Sequence, residues 1–427
     1  MDKPNLLLAS MRTDWNRRAA EDANYYVAFG RRQQSNDEFF ATATPTVQQL
    51  LPELKRFEGR DAALEIGCGP GRLMRPLSRS FKEIHGVDVS DQMIRLARER
   101  LAQTPNAFVR HCSGSDLAMF PEDKFDFVYS YAVFQHIPSR DIVFGYLREA
   151  FRVLKPGGIA RCQLNGLPPH ARQYDTWSGV RITPEEIAAF VASSGFDLLA
   201  LEQIWTQYMW ITLRKPGPVG AAPAHNHAAR LRNISNALTG EPVTPASGAM
   251  AALALWIERL PASCHLLNTT VAADGHPCRL TYIGPPAPDG VSQINAKLPE
   301  KLRTGLVVVE ATHLGEPLCS PGWVRIVPAG PMVPRVTGIT DGVNLLSGNL
   351  IVSGTVKVTM EEVANGADFR AAVDQFATPP ADVFCTDPIG LHWEFNFNLP
   401  ANLPPGPHRV TISLGRRTFP RIPIQVA

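Results

Sequence analysis

The sequence has no long hydrophobic run and no large excess of charge of either sign. Its longest apolar stretch, residues 249–257, is far shorter than the roughly 20 residues that a membrane-spanning helix needs. The apolar run at residues 6–9 is too short for the core of a signal peptide. The formal net charge is +2, whereas non-specific nucleic-acid binding requires clustered basic charge. These absences predict a cytoplasmic protein with no membrane span and no nucleic-acid partner.

Cysteine is scarce and irregularly spaced. No two of the seven cysteines have the C-x-x-C spacing of metal and redox motifs, and their odd number argues against a complete disulfide framework. The sequence therefore predicts free, mostly buried thiols and no metal site. One disulfide among Cys264, Cys278 and Cys319 stays open as an alternative, because the three residues fall in one predicted module.

Proline is abundant, and its distribution divides the chain. Only 12 of the 37 prolines precede Lys215. A chain of 427 residues is also too long for one ordinary hydrophobic core. These features predict five segments: an N-terminal helical lid or substrate region (1–44), an α/β domain (45–215), a linker (216–229) and two β-rich modules (230–330 and 331–427).

The segment before the linker alternates between strand-like and helix-like patterns. Short apolar runs predict strands, and amphipathic stretches at 91–101 and 141–154 predict helices between them. This alternation indicates a parallel sheet with helices on both faces. Thr183 and Glu186 form a capping box that predicts a further helix, ended by Gly195. The predicted strands are 62–66, 83–89, 108–111, 125–130 and 158–164.

The segment after the linker contains an internal repeat with a constant offset of 101 residues. A period of about 100 residues is the size of an immunoglobulin-like β-sandwich, so two tandem sandwiches are predicted. Residues 282–295 resemble the immunoglobulin-like modules of bacterial surface proteins, which implies scaffolding, dimerisation, or binding of a glycan or a partner protein. The repeated pairs are Asn295/Asn396, Leu298/Leu399, Pro299/Pro400, Leu302/Leu403 and Gly305/Gly406.

The strongest local motif is LEIGCGPGR at residues 64–72, directly after the first predicted strand. Glycines permit a close backbone approach to a ligand and the positive φ of a sharp turn. A nicotinamide-dependent oxidoreductase would require G-x-G-x-x-G, whereas the spacing here is G-x-G-x-G and position 72 is Arg. Asp88 ends the second predicted strand, where a carboxylate can accept hydrogen bonds from ribose hydroxyls.

Three later motifs complete a pattern: GSDL at 114–117, FDFV at 125–128 and LKPGG at 154–158. In order and spacing the whole set resembles the class I S-adenosylmethionine-dependent methyltransferases over residues 45–215. The resemblance implies a Rossmann-like, seven-stranded sheet closed by a reversed strand pair (196–203 and 207–213). It also implies S-adenosylmethionine as cofactor and S-adenosylhomocysteine as product. The resemblance also implies that the Asp116 carboxylate and the Leu117 N–H hold the adenine. Ser115 departs from the family pattern, in which glycine often precedes the aspartate. The implied cofactor-binding residues are Glu65, Gly67, Cys68, Gly69, Gly71, Asp88, Val89, Met93, Ser115, Asp116, Leu117 and Ser130.

The stretch after the fourth strand carries His136, the candidate general base for a hydroxyl acceptor, because histidine titrates near neutral pH. Packing beside the cofactor is the alternative role. The stretch lacks the Asn-Pro-Pro-Tyr signature of enzymes that methylate adenine or amide nitrogens. The candidate acceptor-binding residues are Tyr25, Tyr26, Tyr131, Trp177 and Arg181.

We therefore expect methyl transfer to a hydroxyl of a small molecule or sugar, with homodimerisation left open. The alternative is a degenerate methyltransferase fold that binds cofactor and serves as a scaffold for a partner protein.

Overall fold

The computed structural model describes residues 3–28, 32–169, 174–217, 229–300, 302–330, 333–343, 348–363, 365–387 and 391–427. The chain forms two compact units: Met1–Arg17 with Thr42–Gly330, and Arg18–Ala41 with Pro331–Ala427. The predicted N-terminal region, residues 1–44, is therefore divided between the units, and most of the predicted linker lies outside the described residues. Within the described ranges, no helix combines the length and the apolar character that crossing a membrane requires.

Seven α-helices, three short 3₁₀-helices (Leu51–Arg56, Ser78–Ser80 and Phe134–His136) and seven strands precede residue 215 in the described ranges. Helix α1 is interrupted at Asp22, where φ is −166° and ψ is 88°. The helices are α1 (Lys3–Ala28), α2 (Asn36–Ala41), α3 (Ala43–Leu50), α4 (Met74–Leu77), α5 (Asp91–Arg100), α6 (Arg140–Val153) and α7 (Pro184–Ser194). The strands are β1 (Ala62–Ile66), β2 (Glu83–Asp88), β3 (Ala107–His111), β4 (Phe125–Ser130), β5 (Leu154–Leu164), β6 (Asp197–Glu202) and β7 (Met209–Arg214).

These strands form a sheet of order β3-β2-β1-β4-β5-β7-β6, in which β7 is antiparallel to both of its neighbours. The predicted Rossmann-like fold is confirmed, including the reversed strand pair. Local signals account for the helix ends: Ser90 caps the start of α5 through the Met93 N–H. The predicted capping box starts α7, and Gly195, with φ of 82°, ends it.

The rest of the chain is mostly strands, arranged as two copies of one pattern. The first copy has the strand orders β8-β10-β13-β12 and β9-β16-β14-β11-β12. The second has β17-β19-β23-β22 and β18-β26-β24-β20-β21. Each copy encloses its own hydrophobic core. The first copy comprises β8 (Arg230–Asn236), β9 (Val243–Pro245), β10 (Ala252–Glu258), β11 (Thr269–Ala273), β12 (His276–Ile283), β13 (Val291–Lys297), β14 (Gly305–His313), β15 (Glu316–Pro317) and β16 (Gly322–Val327). The second comprises β17 (Arg335–Asp341), β18 (Leu350–Ile351), β19 (Thr355–Glu361), β20 (Phe369–Val373), β21 (Phe376–Thr378), β22 (Pro380–Asp387), β23 (His392–Asn398), β24 (Gly406–Leu414), β25 (Arg417–Thr418) and β26 (Ile422–Val426).

The sequence repeat coincides with this structural repeat. Its glycines, Gly305 and Gly406, begin the equivalent strands β14 and β24 with φ of 108° and 134°, values that disfavour a side chain. Six cysteines are free thiols, namely Cys68, Cys112, Cys162, Cys264, Cys278 and Cys319, and the first five of them are buried. The prediction of free thiols is confirmed, and the alternative disulfide among Cys264, Cys278 and Cys319 is wrong.

The first β module continues the sheet formed by β1 to β7. Strand β6 pairs with β12, with Tyr282 opposite Ala200. Close to this junction, the Arg56 guanidinium donates to the Ile283 carbonyl at 2.6 Å and lies 5.0 Å from the Tyr282 ring centroid. This continuity was not predicted, because the proline-rich residues between the two regions suggested separate domains.

A buried cation, Arg161, stabilises the sheet close to the junction with the first β module. Arg161 of β5 is 5% exposed, and its Nη1 donates to Glu202 and Thr212, both at 2.7 Å. The same Nη1 lies 3.9 Å from Oε1 of the buried Glu53. The guanidinium also lies over the Trp210 ring at 4.6 Å. Removing one member of a buried ionic group leaves the others uncompensated.

We therefore expect Arg161→Met to lower the free energy of unfolding by about 3–5 kcal/mol. Urea unfolding followed by circular dichroism measures this change. Arg95→Met is the matched control, because the Arg95–Glu99 pair is exposed and such pairs contribute less than about 1 kcal/mol. Equal stability of the two variants would contradict the assignment.

Candidate active site

The glycine-rich turn after β1 adopts a conformation that only glycine tolerates well. Gly67, Gly69 and Gly71 have φ of 73°, 50° and 85°. A Cβ on Gly67 would lie 2.3 Å from a methyl carbon of Val133. The N–H groups of Gly67 and Cys68 both donate to the Val87 carbonyl, at 2.8 and 3.0 Å. The turn is therefore fixed to strand β2.

Asp88, at the end of β2, is hydrogen-bonded to the same turn. Its Oδ2 accepts from the Gly69 N–H at 2.9 Å, and its Oδ1 accepts from the Ser90 N–H at 2.8 Å. Burial raises the pKa of Asp88 above its ordinary value. The structure thus brings together the turn and the carboxylate that the sequence predicted as cofactor ligands. Val89 follows at the same edge, half-buried, and Met93 is buried in α5.

Three of the predicted cofactor-binding residues in and beside the turn are buried. The Glu65 carboxyl accepts from the Tyr129 hydroxyl at 2.9 Å, and burial raises the pKa of Glu65 to about 8. Ser130 is fully buried, and its hydroxyl donates to the Ile66 carbonyl at 2.9 Å. Cys68 is buried, and burial raises the pKa of its thiol. The hydroxyl and the thiol thus serve the packing of the turn.

The loop after β3 contains the predicted adenine-binding residues. Asp116 accepts from the Ser113 hydroxyl at 2.6 Å, which lowers the pKa of Asp116, while Ser115 is half-buried beside it. The Leu117 N–H, predicted as an adenine ligand, instead donates to Glu149 at 3.0 Å. Sequence reasoning missed Glu149, which belongs to α6, 32 residues farther along the chain.

The first half of α1 packs against the carboxyl ends of the strands. The Arg12 guanidinium donates to Asp91 at 2.7 Å, and the side-chain Oδ1 of Asn16 accepts from the Ser90 hydroxyl at 2.7 Å. Ser90 and Asp91 lie directly after the ribose-site candidate Asp88. Residues 3–17 therefore form a helix that contacts this edge. Sequence reasoning missed Arg12 and Asn16, because polar residues on a helix usually face solvent.

The same helix covers the region after β4. The Trp15 ring contacts the His136 ring edge-on, with centroids 5.4 Å apart. The Thr176 hydroxyl donates to Asp14 at 2.5 Å, which ties the helix to the loop before α7. We call residues 3–17 the lid helix.

His136 is buried, with 6% of its surface exposed. Its Nδ1 lies 2.9 Å from the Trp177 carbonyl oxygen. Because a carbonyl only accepts, Nδ1 carries a proton, and the lone pair of the neutral ring lies on Nε2. The Gln135 side-chain amide lies 3.3 Å from Nε2. This geometry is compatible with both predicted roles: a base once Gln135 moves away, or a packed histidine.

Two glutamines, Gln135 and Gln163, position this loop, and no sequence motif singled them out. Gln163 of β5 is fully buried. Its side-chain Oε1 accepts from the Ala132 N–H at 2.8 Å, and its Nε2 donates to the side-chain Oε1 of Gln135 at 3.2 Å. Ala132 has φ of 57°, a strained value for a residue with a side chain. Strained backbone held by buried hydrogen bonds is typical of functional sites.

The predicted acceptor-binding residues divide into two groups. Tyr131 stacks on Trp210 at 5.7 Å, and Trp177 lies 5.8 Å from His136 with 47% of its surface exposed. The Arg181 guanidinium donates to the Pro168 carbonyl at 2.7 Å. These three belong to the first unit, as does the cofactor-site candidate Asp88.

Tyr25 and Tyr26 belong to the second unit. Tyr25 donates to the Val343 carbonyl at 2.5 Å, and Tyr26 donates to Glu21 at 2.9 Å. Arg32 lies 4.5 Å from the Tyr25 ring centroid. This pair and the lid helix belong to different units, because the unit boundary falls after Arg17.

Residues 64–162 match a family model described as a methyltransferase domain. The chain is 27% identical over 177 residues to phosphoethanolamine N-methyltransferase 2 of Caenorhabditis elegans, a match that covers 40% of each protein. It is 31% identical over 151 residues to a ubiquinone biosynthesis O-methyltransferase of Roseobacter denitrificans, covering 31% of this chain and 59% of the relative. The chain thus spans only about half of the length of these relatives. The first half of the protein contains a methyltransferase domain.

Among solved structures, phosphoethanolamine N-methyltransferase 1 of Haemonchus contortus, in complex with phosphoethanolamine and S-adenosylhomocysteine, aligns with a TM-score of 0.41 and 17% identity. This alignment covers 52% of the present chain and 51% of the other.

The burial of Glu65 predicts that the stability of the folded protein depends on pH. Its pKa is about 8 in the folded protein against an ordinary 4.5, so between these values the folded state holds a proton that the unfolded chain releases. The stabilisation is complete below about pH 4.5 and is lost as pH rises through 8. We therefore expect Glu65→Gln to have a higher Tm than the wild type at pH 9 and a flatter Tm profile from pH 5 to 9. An unchanged profile, matching that of the exposed control Asp123→Asn, would show that Glu65 does not titrate in this range.

Proposed function

We propose that this protein uses S-adenosylmethionine to methylate a hydroxyl group of a small-molecule or sugar acceptor. The observation that carries the proposal is the hydrogen bond from Gly69 to Asp88, which joins the glycine turn to the ribose-site carboxylate within a methyltransferase domain. Gly67 and Gly71 pack so closely against Val133 and Leu101 that a Cβ would lie within 3 Å of them, so the turn keeps a bare backbone that a ligand can approach closely. The residues present fit an adenosyl amino acid.

The residues of the site have distinct roles in this proposal. Asp88 accepts hydrogen bonds from the ribose hydroxyls, and Asp116 accepts from the adenine amino group. Gly67, Gly69 and Gly71 line the methionine end. When bound, the cofactor supplies a methyl group activated by its sulfonium, so the protein chiefly orients the acceptor and excludes water, which together can supply several kcal/mol. The lid helix excludes water.

His136 accepts the acceptor's proton in this mechanism. With the cofactor bound to supply the methyl group, Nε2 of His136 would take the hydroxyl proton of the acceptor, and the imidazolium would then release that proton to solvent. The Nδ1–H bond to the Trp177 carbonyl holds the ring in the required tautomer. The name of the ubiquinone biosynthesis O-methyltransferase supports an oxygen acceptor. A nitrogen acceptor, as named for the phosphoethanolamine enzymes, is the competing outcome of the acceptor experiment.

We further propose that the two β modules are immunoglobulin-like sandwiches that bind a glycan or a partner protein. Their identical strand orders support one repeated sandwich. In the first module, strand β8 and the start of β16 line a groove of about 570 Å³ beside Trp323, which is 61% exposed. An exposed indole bordered by Arg232 and Asn233 offers an apolar face and hydrogen-bonding groups to such a ligand. Glycan-array and pull-down experiments with the intact chain and Trp323→Ala test this role.

Asp88→Ala should weaken the binding of S-adenosylhomocysteine at least tenfold, as expected for one or two lost hydrogen bonds of about 1–3 kcal/mol. Isothermal titration calorimetry measures the affinity, with the exposed Asp123→Ala as control. Unchanged affinity of Asp88→Ala would show that the ribose binds elsewhere. Absence of binding to the wild type would refute the cofactor proposal.

Labelled S-adenosylmethionine and a lysate fractionated into metabolites, glycans and macromolecules will identify the acceptor. With that acceptor, His136→Gln should reduce kcat by about 10²–10⁴-fold and leave S-adenosylhomocysteine affinity unchanged. The exposed His276→Gln is the control. Equal kcat values for His136→Gln and the wild type would assign His136 to packing. Cofactor binding without turnover on any fraction would instead favour the scaffold function.

A further inference from the structure

Arg72, directly after the last glycine of the turn, is a buried cation that lacks a full set of partners. It is 5% exposed. Its Nη1 donates to the Thr42 carbonyl at 2.9 Å, and its guanidinium lies 5.5 Å from the Tyr131 ring centroid. Its Nε is buried and has no hydrogen-bond partner among the described residues.

The neighbouring carboxyl does not neutralise this cation. Glu65 is the carboxyl that acts electrostatically on Arg72, and the pKa of Glu65 is about 8, so Glu65 is mostly protonated at pH 7. Arginine stays charged at this pH. A buried charge without a hydrogen-bonded counter-ion is costly, and an anion that supplies one is bound favourably.

The position of Arg72 indicates which anionic group it would bind. The residue adjoins Gly71 in the turn that we assign to the methionine end of the cofactor, and its guanidinium faces Tyr131, at the end of the neighbouring strand β4. The methionine end carries one anion, its α-carboxylate. A guanidinium donates charge-assisted hydrogen bonds to a carboxylate, roughly twice as strong as bonds between neutral groups.

We propose that Arg72 binds the α-carboxylate of S-adenosylmethionine and S-adenosylhomocysteine. The inference rests on the proposed cofactor site and adds a ligand for the α-carboxylate of the cofactor. Arg72 is thus a cofactor-binding residue, and its bond to Thr42 holds the guanidinium in place.

The experiment compares two ligands that differ only in the carboxylate: S-adenosylhomocysteine and its decarboxylated analogue, 5′-deoxy-5′-(3-aminopropylthio)adenosine. Calorimetry should show the wild type binding S-adenosylhomocysteine about ten- to hundredfold more tightly than the analogue. Arg72→Gln should lose this preference, with its affinity for the analogue changed less than twofold. Arg72→Lys should retain part of the preference, because lysine keeps the charge but lacks the planar fork. Arg75→Gln, exposed on α4, should behave as the wild type.

The outcomes separate this inference from the proposed function. No binding of either ligand by the wild type refutes the cofactor site itself. Equal affinity of the wild type for both ligands overturns the role of Arg72 without requiring any variant to fold. Equal weakening of both ligands by Arg72→Gln also overturns it, because a merely structural residue would not distinguish the carboxylate.

Discussion

The hydrogen bond between the Gly69 N–H and the Asp88 carboxylate is the contact on which the candidate site depends. It joins the left-handed turn after β1 to the end of β2, and the N–H groups of Gly67 and Cys68 reinforce the junction through the Val87 carbonyl. A carboxylate has about four acceptor positions. Asp88 uses two of them on Gly69 and Ser90. It can therefore hold the turn and still accept hydrogen bonds from a ribose.

A row of polar residues crosses the sheet below this edge. Glu65 pairs in register with Tyr129, Tyr129 with Arg161, and Arg161 with Thr212. The row ends at β6, whose Ala200 lies opposite Tyr282 of the first β module. Inside a protein such hydrogen bonds are stronger than in water, and an unpaired member is more costly. The same row thus underlies the turn at β1 and reaches, at β6, the strand that pairs with the first β module.

The lid helix shows how the cofactor and acceptor regions are coupled physically. Its Asn16 binds the segment that follows Asp88, while its Trp15 packs on His136. A displacement of this helix would change both contacts at once. Because residues 18–41 belong to the second unit, the chain that forms the lid continues directly into the part of the protein that contains the second β module.

The sequence alone determined the elements and motifs that depend on local chemistry. Strand β1, the capping box of α7, the glycine turn and the 101-residue repeat all follow from short-range patterns, and the structure contains each of them. The spacing of Gly69 and Asp88 likewise predicted their proximity, because successive parallel strands end at one edge of a sheet. Only the tertiary structure decided which distant groups pair: Leu117 with Glu149, β6 with β12, and Tyr25 with Val343. The physical reason is that such pairs depend on how whole elements pack, and no local propensity encodes the partner of a side chain that is buried far away along the chain.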